Sequence, residues 1–303
     1  MNRFIFIGLL ILPVWLFSQQ IPDTAWHPVI PKPMYKQGNG PVVFIDEGHH
    51  NFHTKEGRYK PFSNLLESDG YVVKEYSGDF GKKELTGGKI LVIANALNEK
   101  NAEDWYVPTP SAFTKTEMVA VKDWVHDGGS LLLIADHMPM AGAAKDLAAE
   151  FGFEFTNGFV LDTVSGGTAT FSLKEKTLVE SRITKGRDSA ESVDQIVSFT
   201  GQGFNIPPDA TPVMIFNKNF VNMLPDTAWV FDKKTPVFNA AGLSQGAYKS
   251  YGKGRVAVFG EAAMFTAQLA GPEQRRIGMN SDMAPQNYQL ALNVIHWLDG
   301  KLE

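Results

Sequence analysis

Residues 42–53, VVFIDEGHHNFH, pass from apolar to densely polar within one short stretch. Val42, Val43, Phe44 and Ile45 lead into Asp46, Glu47 and Gly48, and His49, His50 and His53 follow. A short apolar run closed by glycine has the form of a buried parallel strand. In an open α/β sheet, ligands gather where such strands end. The chain holds seven histidines in all, so three of them at one strand end is a concentration that composition does not explain. The chemistry is expected here.

Working outward, Gly57 to Ser68 carries Tyr59, Phe62, Leu65 and Leu66 at helical spacing and is closed by Asp69-Gly70. Tyr71 to Tyr76 reads as a second strand, and KILVIA, Lys89 to Ala94, as a central third strand finishing at Asn95. Thr114 to His126 reads as an amphipathic helix with Thr114 as cap, Glu117 in the capping-box position and Gly128-Gly129 as its stop. SLLLIA, Ser130 to Ala135, is a fourth strand ending in Asp136-His137, and Ala141 to Glu150 a small-residue helix. RVAVF, Arg255 to Phe259, is a fifth strand closing in Gly260-Glu261. A last helix, Pro285 to Leu298, turns Tyr288, Leu292, Ile295 and Trp297 inward. This alternation predicts an α/β fold with a flavodoxin-like, doubly wound parallel sheet. The α/β domain is expected over 41–156 and 252–303. Between them, 157–251 loses the helical period to Gly, Thr, Ser and short runs such as ATFSL and PVMIF, and is expected to be a mainly β or irregular insertion.

Hydrophobic residues at 44% and charged residues at 20% are ordinary globular values, and the net charge of -5 gives no basic face for a nucleic-acid partner. No phosphate loop of the GxxxxGK type is present, and Gly252 and Gly254 do not make a dinucleotide fingerprint, so no nucleotide cofactor is expected. Residues 1–18 place Arg3 before about 14 apolar residues, with Ser18 at the cut, the pattern of a signal peptide. The run is short for a bilayer span of roughly 20 residues. The expectation is an exported protein, periplasmic or extracellular, with no stable membrane span after cleavage. Retention as an anchor stays open, because Leu16 is larger than the usual small residue before a cut. Residues 19–40, with Pro22, Pro28, Pro31 and Pro33, read as an extended tether. The absence of cysteine excludes disulfides and a thiol nucleophile. The pentapeptide PDTAW occurs at Pro22–Trp26 and again at Pro225–Trp229, without any further match at that offset, and is read as coincidence.

In a parallel sheet the strand ends share one edge. With strand order 2-1-3-4-5, strands one and four lie about 10 Å apart and strands one and five about 14 Å. Two readings of the histidines stand side by side. In one, His49 and His53, spaced i, i+4, face the same way from a helical turn. Asp136 and His137 then complete a metal site for Zn, Mn or Fe, with Glu47 or Glu261 as general base. Asp46, His50, Asn51, Asn95 and Gln268 would contact the ligand. In the other, the histidines cap the next helix and bond the loop, and Asp136 satisfies a helix N-terminus. His126 and His296 read as structural, and His27 in the tether carries no signal. Gly242-Leu243-Ser244-Gln245-Gly246 matches the serine-hydrolase elbow, but Gly252 and Gly254 arrive too soon for the helix that elbow needs, so it is read as a chance match.

VVFIDEGHHNFHT at 42–54 with GRYKPFSNLLESDGY at 57–71, SLLLIADHMPMAG at 130–142 and GKGRVAVFGEAAMFTAQ at 252–268 together resemble exported domains of the class I glutamine amidotransferase-like superfamily. The GIFT-type domains and the gliding-motility ABC-auxiliary proteins are the nearest named groups. The resemblance covers about half of the chain, in three blocks, and implies a flavodoxin-like sheet. The amidotransferases carry a nucleophilic cysteine at a sharp turn after a central strand. The comparable turn here holds Asp136, His137 and Met138, so glutaminase chemistry by that route is excluded. The resemblance favours a small polar ligand, a saccharide, with Trp105, Tyr106 and aromatics of the insertion as stacking faces. Two functions follow: a metal-assisted hydrolase acting on such a substrate, or a non-catalytic carbohydrate-binding or envelope-assembly domain.

Overall fold

Five parallel strands lie side by side in the computed structural model, which describes residues 20–164 and 167–302. The core elements are β1 (Val42–Asp46), α1 (Lys60–Ser68), β2 (Val72–Tyr76), β3 (Ile90–Ala94), α2 (Lys115–His126), β4 (Ser130–Ile134), α3 (Met140–Ala149), β5 (Gly254–Phe259) and α4 (Asn287–Leu298). The strands pair in parallel in the order β2-β1-β3-β4-β5, which is the flavodoxin-like order. Every residue of β3 and β4 is buried, as two covered faces require. Alternation then sorts the side chains. Ile90, Val92, Leu132 and Ile134 face α1 and α4, while Leu91, Ile93, Leu131 and Leu133 face α2 and α3.

The helix limits follow local chemistry. α2 starts where Thr114 accepts from the Glu117 amide and Glu117 reaches back to the Thr114 amide, the expected capping box. α1 begins later than its apolar spacing suggests. Gly57 and Tyr59 donate to the Thr54 carbonyl in a turn, and Pro61, tolerated in a first helical turn, opens the helix proper.

The segment 157–251 is not a separate cap. Its last strand, Ser244–Tyr251, pairs antiparallel with β5 across a tight turn at Gly252, where φ is 58°, so the expected boundary at 251/252 falls inside a hairpin. Thr211–Ile215 pairs with the outer side of that strand and continues the central sheet. The rest forms a three-stranded sheet (Phe159–Asp162, Phe220–Met223, Val237–Asn239) and a two-stranded ribbon (Ala169–Ser172, Gln195–Ser198). The ribbon and the 182–191 segment between its strands lie over α4, where Asn293 donates to the carbonyls of Ile183 and Glu191 at 2.8 and 2.9 Å. Pressed between sheet and insertion, α4 is therefore buried almost all round, His296 included, and Tyr288 is only partly covered. His296 Nε2 meets Asp69 at 2.6 Å, a structural role as expected.

The tether is extended but fixed. Gln20–Pro22 pairs antiparallel with Ala267–Ala270, and Trp26, Ile30, Met34 and Tyr35 pack on the core. The expected signal peptide, 1–18, and Gln19 lie outside the described residues. Among the described residues, no helix is long and apolar enough to cross a membrane.

Candidate functional site

Asn95, the residue after β3, joins three strand ends. Its backbone is left-handed at φ 52°, a conformation asparagine tolerates better than most residues. Its carbonyl accepts from the Phe52 amide at 2.9 Å, its side-chain oxygen accepts from the Asp136 amide at 2.8 Å, and its amide nitrogen donates to His53 Nδ1 at 3.2 Å. The loops after β1, β3 and β4 are thereby tied into one edge.

Above this edge opens a cleft of about 1570 Å³. Six of the expected residues line it: His53, Asn95, Asp136, His137, Glu261 and Gln268. The insertion contributes Phe199 and Thr200 because its 198–202 loop lies across the end of β5. Gln202 donates twice there, its backbone amide to Gly260 O and its side-chain amide to Ala135 O. Gly201 allows the approach. At φ 129° a side chain would be strained, and a Cβ would sit 2.2 Å from the Gly260 carbonyl.

Accepting at Nδ1, His53 carries its proton on Nε2. Burial, and after it the charge of Arg58, lowers its pKa to about 3, so the imidazole is neutral. The neighbouring Gln268 amide nitrogen is 3.5 Å from Nε2, and its own oxygen is buried without a partner. His137 donates from Nδ1 to the Met138 carbonyl at 2.7 Å. Its ring stacks on Phe159 at 4.2 Å and meets Trp229 edge-on at 4.7 Å. Glu261 is raised well above the usual carboxyl range, first by burial and then by the charge of Asp136, against the pull of the Met264 and Ala263 amides that its oxygens accept. A carboxyl group that retains its proton thus stands near a second carboxyl in the same cleft.

The other five expected residues are elsewhere. His49 lies behind the sheet edge, 6% exposed, with Nδ1 2.9 Å from Asp46 and Nε2 2.8 Å from Glu117. Phe80 and Phe113 flank its ring. Asn51 donates to Asp46 and accepts from the His49 amide, closing the network. Glu47 accepts from the Lys55 amide, and His50 is exposed at φ 46°. The expected quartet of His49, His53, Asp136 and His137 is therefore not assembled. The loop is not helical, so i, i+4 spacing does not point the two imidazoles together, and both His49 nitrogens are already engaged. Among the described residues, no group of three or more His, Asp or Glu side chains is arranged to hold a metal ion. Ser244 begins a buried strand rather than an elbow, and no helix follows it.

The cleft takes Trp105 and, from the aromatics of the insertion, Trp229, both expected as stacking faces, together with Arg58, Arg275 and Arg276, which carried no sequence signal of their own. Arg58 sits in the turn before α1 with its guanidinium 3.7 Å above the Phe52 ring, and Trp105 meets the far side of that wall at 5.4 Å from Phe52. Trp229, 52% exposed, is held at φ 65°, an uncommon conformation for a bulky residue. Arg275 and Arg276 arrive from the hairpin of Ala267–Ala270 and Arg275–Gly278.

No family model matches the chain, and no curated protein matches its sequence. Among solved structures, the N-terminal domain of mmIFT52 superposes with a TM-score of 0.60 at 15% identity, over 85% of this chain and 96% of that one. A ThuA-like protein from Bacteroides uniformis gives a TM-score of 0.46 at 12% identity, over 90% and 94% of the two chains. A ThuA-like protein from Parabacteroides merdae gives 0.44 at 12%, over 87% and 92%. The first of these likenesses is one of fold alone, an α/β architecture shared over most of both chains.

Proposed function

We propose that this is an exported saccharide-binding protein whose ligand lies in the cleft at the carboxyl edge of the sheet. The observation that carries the reading is the lining of that cleft, which brings the indole rings of Trp105 and Trp229 together with polar groups of Asn95, His137 and Gln268. Sugars present apolar C–H faces to aromatic rings and hydroxyls to fixed donors and acceptors, which is the chemistry these residues supply. Trp229 adds weight, since a bulky residue kept at positive φ and half exposed is a conformation more often retained for a ligand than for packing. Export rests on the Arg3-led apolar run.

The test is titration calorimetry of the purified chain against neutral β-linked di- and trisaccharides of glucose, galactose and mannose. Binding of at least one is expected, weakened about tenfold in Trp229→Ala, equivalent to about 1.4 kcal/mol, with the melting temperature unchanged. No binding across the panel would sink the reading.

The Asp136 and Glu261 pair favours a second reading, hydrolysis of the bound sugar. A carboxyl raised by burial with a second carboxyl in the same cleft is an arrangement by which a leaving oxygen is protonated while the partner supports the developing charge. Reducing-end release that falls about 100-fold in Glu261→Gln would establish it. Binding with no release from any sugar of the panel would leave the protein a non-catalytic binder.

A further inference from the structure

Arg58 is a cation whose needs the protein itself leaves unmet. A guanidinium offers five N–H donors and is almost never buried unless paired. Two other partly buried cations follow that rule: Arg187 forks onto both oxygens of Glu191, and Lys249 is held by Asp209 at 2.6 Å. Arg58 Nε is buried without any hydrogen-bond partner, and Nη1 reaches only the Phe52 carbonyl at 3.5 Å. Among the described residues it forms no ion pair with a carboxylate, Asp136 and Glu261 included, although all three line one cleft. Burial alone lowers its pKa, from a starting value so high that it stays charged.

The surroundings are suited to an anion rather than to solvent. The Phe52 face orients the guanidinium plane. His53 beside it is neutral and cannot supply a competing charge. Arg275 and Arg276 come from the Arg275–Gly278 strand to line the same cleft, the second 3.6 Å from Asp282. A planar fork of donors held on an aromatic face matches a carboxylate or a phosphate bidentately.

We infer that the saccharide carries an oxyanion, a uronate carboxylate or a sugar phosphate, and that Arg58 receives it. This rests on the cleft being a saccharide site. Arg58 fixes which end of the ligand lies by Phe52 and leaves the neutral ring for the Trp229 and Glu261 side.

Calorimetry with matched pairs tests it: digalacturonate against its methyl ester, and galactose 6-phosphate against galactose, on the wild type, Arg58→Gln and Arg58→Lys. At least one acidic sugar is expected to bind about tenfold or more tighter than its neutral partner. The preferred pair identifies the source of the oxyanion. In Arg58→Gln the preference disappears while the neutral sugar keeps its affinity, and Arg58→Lys, which keeps the charge without the fork, restores part of it. Equal binding within both pairs, or an acid preference that survives Arg58→Gln, overturns the inference and leaves saccharide binding standing. If none of the four sugars binds, the saccharide reading itself falls, and this inference with it.

Discussion

His49 and His53 leave the same strand four residues apart and end in opposite electrostatic situations. His49 is clamped between Asp46 and Glu117, and although burial works against its charge, the two carboxylates raise its pKa above 6.5. His53 meets an amide on one side and Arg58 nearby, and burial holds it neutral, near 3. One ring is a charged strut behind the sheet edge, and the other is a neutral wall of the cleft. Burial is common to both. The partners decide the difference, and a histidine cluster in sequence is therefore two separate devices in space.

The largest effect that could break this comparison is His49→Ala. It leaves Asp46 and Glu117 buried without their counter-charge, and a loss of about 3–5 kcal/mol is expected from denaturant midpoints. A loss below about 1 kcal/mol would show that the strut is dispensable.

The comparison is sharpened by pH, since the two histidines carry opposite signs. For His49 the folded pKa is above the unfolded one, so its contribution is complete below about 6.5 and is lost as pH rises through the raised value. Glu117 works at the other end. Burial opposes its ionisation, but the Thr114 amide and hydroxyl, His49 and the Phe80 amide hold it down to about 2, so its contribution fades as pH falls from 4.5 toward 2. For His53 the folded pKa is depressed, so stability falls as pH drops from 6.5 toward 3, where the unfolded chain takes up a proton that the folded one refuses. Urea midpoints against pH should therefore lose their alkaline decline in His49→Gln and part of their acid decline in His53→Gln. Identical profiles for the two variants would contradict the assignment.

Ser244→Ala marks the bottom of the scale. The serine starts a buried strand outside the cleft, so sugar affinity is expected to be unchanged and stability to move by about 1 kcal/mol or less. Loss of ligand binding on this change would restore the elbow motif to the argument.

Much of the frame could be read from residues alone. The lengths and apolar continuity of β1, β3, β4 and β5 fix where each strand stops, so Asn95, Asp136 and Glu261 fall on one edge whatever the loops do. The Thr114 and Glu117 box was legible because capping is local. Less legible was the second duty of Glu117, which accepts from His49 and from the Phe80 amide across the fold. The hairpin at Tyr251 to Gly254 was not read from the sequence, which set a boundary at 251/252, although its glycines permit the turn. Arg58 gave no signal, because it sits in a turn before a helix, and Trp229 was covered only by the general expectation of stacking aromatics in the insertion, because neither position has a period.

What the sequence determined by itself was the order of buried strands, their ends, the helix caps and the exclusion of thiol chemistry, all of which depend on neighbours a few residues away. The tertiary structure alone decided which polar groups meet. It placed His49 between two carboxylates, joined three strand ends through Asn95, laid the insertion over α4 and set an unpaired guanidinium against a phenyl face. Hydrogen bonds and charge pairs act over a few ångströms in space, and for residues as far apart as Arg58 and Arg276 that distance is set only when the chain has folded.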